Sequence, residues 1–482
     1  VVNNRKVEFR DATSLWGMET AQAQQAMLGG LSAKKAATLA IGPAGEKQLK
    51  YAAIMVDGPV YRAYGRGGSG CVMGSKKLKG IVITGDTEVE AGDKDRFEKV
   101  KKSVMDKVKE QKDWATNWQK YGTRRGLITL SKLGILPTRN WRGGTFEGVE
   151  GLCFVTTEKE WPWKIRACGP YCPTPCSDYI EIGKGGYAGA HCDGPEYETL
   201  YAFGSNCGIG KLDAIVAADQ ICDENGLDTM SAGLSISFAM ECFERGLISA
   251  RDTDGIELRF GDDRAMLTTL KKIIDQEGFG RVLAEGVRKM SAQIKGSESF
   301  AMHSKGLELG GYECRGLNGQ ALQFAIDNRG GCHHGYGVPA RTEAFEGTGT
   351  QVQGKGEQVK NMAIGQIIMD CIPACSFSRL VMSPTDVALT SLLGEEWTPA
   401  AVREVGMRIM CTERLFNMRE GISRKDDSLP GRLLNEPKPD GPNKGAVVPL
   451  EQLRDLYYQA MGWDPLTGNP PDSVLAQLGI SK

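Results

Sequence analysis

No segment of this sequence is apolar for long enough to cross a bilayer: the longest such runs, as at 214–218, fall far short of the about 20 residues a spanning helix needs. An excess of either charge is lacking too. Fifty-nine Lys and Arg face 60 Asp and Glu, a formal net charge of −1, so neither the basic surplus of a nucleic-acid binder nor the acidic surplus of a solvating tail is present. The opening residues Val1, Val2, Asn3, Asn4, Arg5 and Lys6 lack the apolar core of a signal peptide, and the expected compartment is the cytoplasm. Histidine is scarce, limited to His191, His303, His333 and His334. Internal repeats and low-complexity tracts are missing. What the chain does have is glycine, 62 residues, and cysteine, 14 in 482. That length suggests roughly two to four domains.

Ile81-Val82-Ile83-Thr84, between Gly80 and Gly85, reads as a strand, and 41–88 reads mainly as strands and turns. From Asp93 the texture turns helical, with Phe97, Val100, Val104 and Val108 on one stripe of a pattern running to 120. Further helices are predicted over 211–225, 229–245, 262–276, 280–294, 356–370, 399–418 and 450–461, separated by long glycine-rich connections at 182–195, 306–319 and 329–355. Connections of that length are often functional. The proline-rich segment 424–449 reads as surface wrapping or a linker. With cuts near 88 and near 305, the fold class expected is α+β, a β-rich N-terminal domain (1–88) followed by two mainly α-helical domains (89–305 and 306–482).

Without a mark of secretion, so many thiols favour metal ligation for some and burial for the rest over a disulfide framework. Cys168, Cys172 and Cys176 fall within nine residues, interspersed with Gly169, Pro170, Pro173 and Pro175. Glycine and proline block a helix and favour a tight wrap in which several sulfurs converge. A cubane iron–sulfur cluster held by cysteine alone needs four thiolates. Cys371 and Cys375 are the candidates for the fourth. Zinc and three buried structural thiols are the competing readings; the spacing misses that of a radical-SAM loop by one residue.

Gly65-Arg66-Gly67-Gly68-Ser69-Gly70 offers close backbone approach, N–H groups and a guanidinium, a chemistry suited to a phosphate ester; a plain turn is the alternative. It is not a Walker loop, and the Gly-x-Gly-x-x-Gly match is set aside because no helical pattern is read after it. Asp223 to Asp228 follows a helix, with Gly226 as a left-handed cap, and Asp370 and Cys375 repeat the same five-residue offset. Carboxylates in such turns accept hydrogen bonds from amino and ring N–H groups, although each turn taken singly also reads as ordinary capping.

Together these stretches resemble the aldehyde:ferredoxin oxidoreductase family: Ile41 to Glu46, Gly65 to Gly68 through Met73 to Lys76, the cysteine loop, Gly194 to Thr199, Asp223 to Asp228, Arg329 to His333, and Asp370 to Cys375. They occur in the family's order and span nearly the whole chain. The resemblance implies a tungsten or molybdenum ion held by two pterins, with Mg2+ as a candidate bridge between pterin phosphates. Arg66, Gly67 and Gly68 would meet the pterin phosphates, and Asp223, Leu227 and Asp228 would grip one pterin. Asp370 and Ala374 would grip the other, and Cys168, Cys172, Cys176 and Cys375 would hold a [4Fe–4S] cluster. It also implies that the chain begins partway through the family's N-terminal domain. Two departures stand out. The first two cluster cysteines are spaced Cys-x3-Cys where the family has Cys-x2-Cys, and the second turn reads Asp-Cys-Ile-Pro-Ala-Cys where the family prefers Asp-x-x-Gly-Leu-Cys, so Cys371 stays a rival ligand. No Glu-x-x-His pair occurs, which argues against an iron bridging subunits.

By the same resemblance Glu198 is the general base, activating water against an aldehyde carbonyl, and His333, with His334 adjacent, manages the carbonyl's proton. Burial should raise the pKa of Glu198. Electrons would leave to ferredoxin or an iron–sulfur partner subunit, from an oligomer acting on a small molecule with no nucleic acid or membrane span involved. Two alternatives remain at this point: a low-potential reductase like the tungsten-type benzoyl-coenzyme A reductase subunits, and a non-catalytic iron–sulfur electron-transfer subunit.

Overall fold

A computed structural model describes residues 1–4, 6–29, 36–58, 62–169, 172–377 and 384–481. The chain forms two compact units, the first of residues 1–88 and 118–302, the second of 89–117 and 303–482. The mixture of a small sheet with many helices is the α+β class expected.

The first unit opens with six strands: β1 (Val2–Asn3), β2 (Lys6–Val7), β3 (Ala36–Ala40), β4 (Ile54–Val56), β5 (Arg62–Tyr64) and β6 (Gly80–Thr84). They are ordered β2-β1-β6-β3-β4-β5, and every pairing but β1–β6 is antiparallel. A second sheet of β7 (Trp163–Arg166), β8 (Ser177–Glu181) and β9 (His191–Asp193) is antiparallel throughout. The unit's centre is the helix Thr229–Glu244, whose residues are buried nearly all round, as an evenly apolar helix must be. Asp228 caps it by accepting from Met230 N, which satisfies one of the helix's orphan donors. Helix Leu212–Asn225, ended by left-handed Gly226, packs beside it.

In the second unit the helix Lys355–Cys371 packs against Leu450–Met461, Pro399–Arg419 and the wholly buried Asn318–Ile326. Gly356 and Gly406 bring these backbones close: a Cβ at Gly356 would meet Leu456 O, and one at Gly406 would meet Ile364. Helix Lys94–Glu110 lies against Thr385–Leu393, its half-buried stripe of Phe97, Val100, Val104 and Val108 giving it one apolar side.

Several expectations need correction. The pattern over 93–120 is two helices, Lys94–Glu110 and Lys112–Tyr121, and 280–294 is Gly280–Leu283 and Val287–Gln293, parted at Gly286, whose φ is +80°. A seven-residue helix, Ser69–Ser75, does begin within the Gly-x-Gly-x-x-Gly run; a dinucleotide fold is excluded instead by strand direction, since β4 and β5 pair antiparallel. The 329–355 connection contains the helix Pro339–Glu346, opened by proline at its first position. Segment 424–449 is a surface wrap with buried anchors: Asp427, Arg432, Leu433 and Lys438 are each about 1% exposed or less, while 435–437 and 441–442 are exposed.

Candidate functional site

In the first unit, three sequence-distant glycine motifs meet backbone to backbone. A Cβ on Gly74 would collide with Gly45 O, one on Gly42 with Asn225 O, and one on Gly68 with Lys50 O. Gly67 differs: its φ is +86° and a Cβ there would meet nothing within 4 Å, so this peptide presents an open face. The first acidic turn is stitched into the same place. Leu227 bridges Ala52, Asp228 N donates to Tyr51 O (3.0 Å), and Ala53 N donates to Gly226 O (2.8 Å). Arg66 Nε pairs with Asp228 Oδ2 at 3.1 Å, the two side chains 9% and 3% exposed, and Ser231 Oγ donates to the same carboxylate oxygen at 2.7 Å. The turn therefore caps a helix and orients the guanidinium with one carboxylate. Removing one partner of such a buried pair costs about 3–5 kcal/mol. An oriented guanidinium next to an open glycine peptide fits an anionic phosphate ester.

Asp223, one turn after Asp219 on the helix Leu212–Asn225, has its carboxyl pushed well above the usual range by burial and by the Asp219 charge. Asp219 itself is raised to about 7, chiefly by burial, with Glu196 and Asp193 adding to the shift and a hydrogen bond from Cys192 and the Arg124 charge opposing it. Sequence reading missed Asp219, although its spacing of four from Asp223 was available. The folded chain thus keeps a proton that an unfolded Asp releases near pH ~4. At this site folding binds a proton between about pH 4 and about 7, so the stability that Asp219 contributes falls as pH rises through that window. The difference in thermal midpoint between the wild type and Asp219→Asn should move against the wild type as pH rises across that window; a constant difference would mean that Asp219 ionises normally.

Glu198 sits half-buried on the short helix Tyr197–Thr199, which runs directly into a π-helical turn, Leu200–Gly204. Such turns are frequent at functional sites. Its flanks are fixed: Tyr197 N donates to Thr123 Oγ1 (3.0 Å), Thr199 and Thr229 share a hydroxyl hydrogen bond of 2.9 Å, and Gly233 lets the central helix close onto Ala202. The Glu198 charge contributes to raising the pKa of buried Tyr201, behind burial itself.

The fourteen cysteines divide by burial. Eight are buried, and of the six that are not, five are Cys168, Cys172, Cys176, Cys371 and Cys375. Burial pushes the thiols of Cys192, Cys207, Cys222 and Cys314 up, which keeps them protonated and poor ligands. None of the fourteen is in a disulfide. Pro170 and Tyr171, inside the cysteine loop, lie outside the described residues, and among the described residues no three His, Cys, Asp or Glu side chains are gathered as a metal ion would hold them. The donor chemistry of the loop nevertheless suits a thiolate-bound centre. Arg124, fully buried, forms an ion pair with Asp178, covers the Phe154 ring at 3.8 Å and feels the Cys176 charge, a fixed cation beside the loop that sequence reading did not single out.

In the second unit His333 is half-buried and His334 exposed. Their rings lie 4.3 Å apart, and Tyr312 stands 6.5 Å from His333. The second acidic turn closes the helix Lys355–Cys371. Gln366 Nε2 donates to Asp370 Oδ1 (3.1 Å) and to Ser376 Oγ (2.9 Å), tying the two ends of the turn around Ala374, whose N–H donates to Met369 O (2.9 Å). Gln366, four residues before Asp370, was also missed. Partial shielding from water, then the charges of Asp370 and Glu413, raise the Cys371 thiol, which weakens it as a rival thiolate.

Comparison with known proteins matches residues 1–85 to the N-terminal domain of aldehyde ferredoxin oxidoreductase and residues 99–480 to domains 2 and 3 of the same family. The chain is similar to the tungsten-containing aldehyde ferredoxin oxidoreductase of Pyrococcus abyssi, 35% identical over 494 residues that cover 100% of this chain and 79% of that protein. It is also similar to an aliphatic sulfonate oxidoreductase, WOR-like subunit, of Pyrococcus furiosus, at 30% identity over 100% and 78% of the two chains. The fold is that of a chain in the active-site complex BamBC of benzoyl coenzyme A reductase with 1,5-dienoyl-CoA, with a TM-score of 0.76 and 22% identity over 99% and 78% of the two chains. No helix among the described residues is long and apolar enough to cross a membrane. The chain belongs to the aldehyde ferredoxin oxidoreductase family and is an oxidoreductase.

Proposed function

We propose that the chain oxidises an aldehyde to a carboxylic acid at a tungsten (or molybdenum) bis-pterin centre and passes the electrons through a [4Fe–4S] cluster to ferredoxin or an iron–sulfur partner. The observation that carries this reading is the buried Arg66–Asp228–Ser231 arrangement beside the open peptide of Gly67, in a chain of this family. Gly67, Gly68, Asp223, Leu227 and Asp228 would seat one pterin, with Mg2+ a candidate bridge between phosphates; Asp370 and Ala374 would seat the other. Cys168, Cys172, Cys176 and Cys375 would hold the cluster. When bound, these groups supply a two-electron acceptor and a one-electron exit.

The protein's part is proton handling and orientation. One aldehyde and one water become one carboxylic acid, two protons and two electrons. Glu198 takes a proton from the attacking water, and His333 donates a hydrogen bond to the carbonyl oxygen. The test is aldehyde-dependent reduction of a viologen dye by purified protein whose tungsten, molybdenum and iron are measured on the same sample. Metal-replete protein should reduce the dye with an aldehyde, and should not reoxidise the already reduced dye when an aromatic coenzyme A thioester is supplied as electron acceptor. Silence toward aldehydes with reduction of the thioester would replace this reading by the low-potential reductase.

A further inference from the structure

We infer that Gln323 is a positioning residue for His333, acting through the Cys332 carbonyl and the Asp327 carboxyl, an inference that rests on the role proposed for His333. Every residue of the helix Asn318–Ile326 is buried, yet it carries two glutamines on its inner turns. A buried amide is tolerated only when its donors and acceptor are met, and here they form a chain. Gly319 N (2.8 Å) and Gln320 N (3.1 Å) donate to the two oxygens of Glu343, which is paired with buried Lys355. Gln320 Oε1 accepts from Ala340 N (3.2 Å), and Gln320 Nε2 donates to Gln323 Oε1 (2.9 Å). Gln323 Nε2 then donates to Asp327 Oδ2 (2.9 Å) and to Cys332 O (2.8 Å).

The last contact is the decisive one. A carbonyl only accepts, so the amide of Gln323 is held one way round. The Cys332 carbonyl belongs to the same planar peptide as the His333 N–H, so fixing it fixes the direction in which the His333 Cα leaves. Asp327 closes the other side. Its Oδ1 accepts from Arg329 N (2.9 Å), before the histidine pair, and a Cβ on Gly335, after the pair, would collide with its Oδ2. One carboxyl therefore touches both limbs of the loop. His333 in turn rests on Gly310, where a Cβ would come within 3.1 Å of the His333 Cβ.

Burial raises Asp327 to about 7, against the opposing Arg329 N–H and the charges of Arg329 and Lys305, with Glu413 adding to the rise. Its charge also bears on the ionisation of Tyr336 and Tyr457. A carboxylate accepts more strongly than a neutral carboxyl, so the loop is held more firmly above that pH than below it.

The experiment compares Gln323→Met, Asp327→Asn and His333→Gln as holoenzymes of measured metal content, with two readouts. The first is the rate at which diethyl pyrocarbonate modifies His333 relative to His191, read by peptide mass spectrometry. The second is kcat and KM against pH. Gln323→Met keeps the side chain's length and removes both donors; His333 should react faster relative to His191, and kcat should fall about 10- to 100-fold with KM little changed, the scale of a small misplacement of a reacting group. Asp327→Asn should delete the titration near pH 7 from the kcat profile. An unaltered His333 rate and unaltered kcat in Gln323→Met, with His333→Gln inactive, would overturn this inference and leave the role of His333 standing. Full activity in His333→Gln would instead remove the functional reading, and the modification ratio alone would then decide whether Gln323 sets the loop.

Discussion

Glu198→Gln is expected to lower aldehyde-dependent turnover by about 10²–10⁴-fold, the contribution of a positioned general base, while tungsten and iron content stay at the wild-type level. The substitution keeps shape and removes only the capacity to take a proton. The surroundings predict that nothing else will move. Tyr197 and Thr199, on either side, are anchored by Thr123 and Thr229, and the following turn is locked where Trp141 Nε1 donates to Tyr201 OH at 2.6 Å. Loss of metal along with activity would point to a structural role, and retained turnover would refute the assignment.

The other large effect is expected at the cysteine loop. Cys172→Ser or Cys176→Ser should strip iron from the chain, from about four per molecule toward none, because a cubane corner loses its thiolate. Electron delivery to an external acceptor should go with it. Cys314→Ser, at a buried thiol whose pKa burial drives up, should leave the iron in place. The contrast is the informative part. Iron retained in both loop variants would show that the cluster ligands lie elsewhere, and iron lost in Cys314→Ser would show that the measurement reports general instability. Arg124 sharpens the expectation, since a buried cation already held by Asp178 and facing Cys176 favours negative charge at the loop.

The helices were legible where apolar spacing was backed by punctuation. Leu212–Asn225 ended at Gly226 as read, Thr229–Glu244 matched the expected 229–245 to within one residue, and the strand read as Ile81–Thr84 starts one residue earlier, at Gly80. The break between Lys94–Glu110 and Lys112–Tyr121 was invisible because no glycine or proline marks it, and charge at helical spacing continues across Gln111. The helix Ser69–Ser75 was hidden by its own glycines, which lower helix propensity but are demanded by the backbone contacts of Gly70 and Gly74. The candidate site was readable as motifs and unreadable as a network. Gln320, Gln323, Asp327 and Asp427 are all fully or nearly buried, and a polar residue signals the outside to any argument based on periodicity. Only coordinates show that such groups satisfy one another.

The glycines of the first unit carry a lesson for protein engineering. At positions 42, 68, 70 and 74 the missing side chain makes room for another stretch of main chain, whereas at 67 it leaves empty space. A library that varies this loop has to hold the first four invariant, because a methyl group there pushes apart segments far separated in sequence. Position 67 is bounded only by its backbone torsion, so asparagine, which tolerates that torsion without adding charge, is the substitution with which to begin probing the open face.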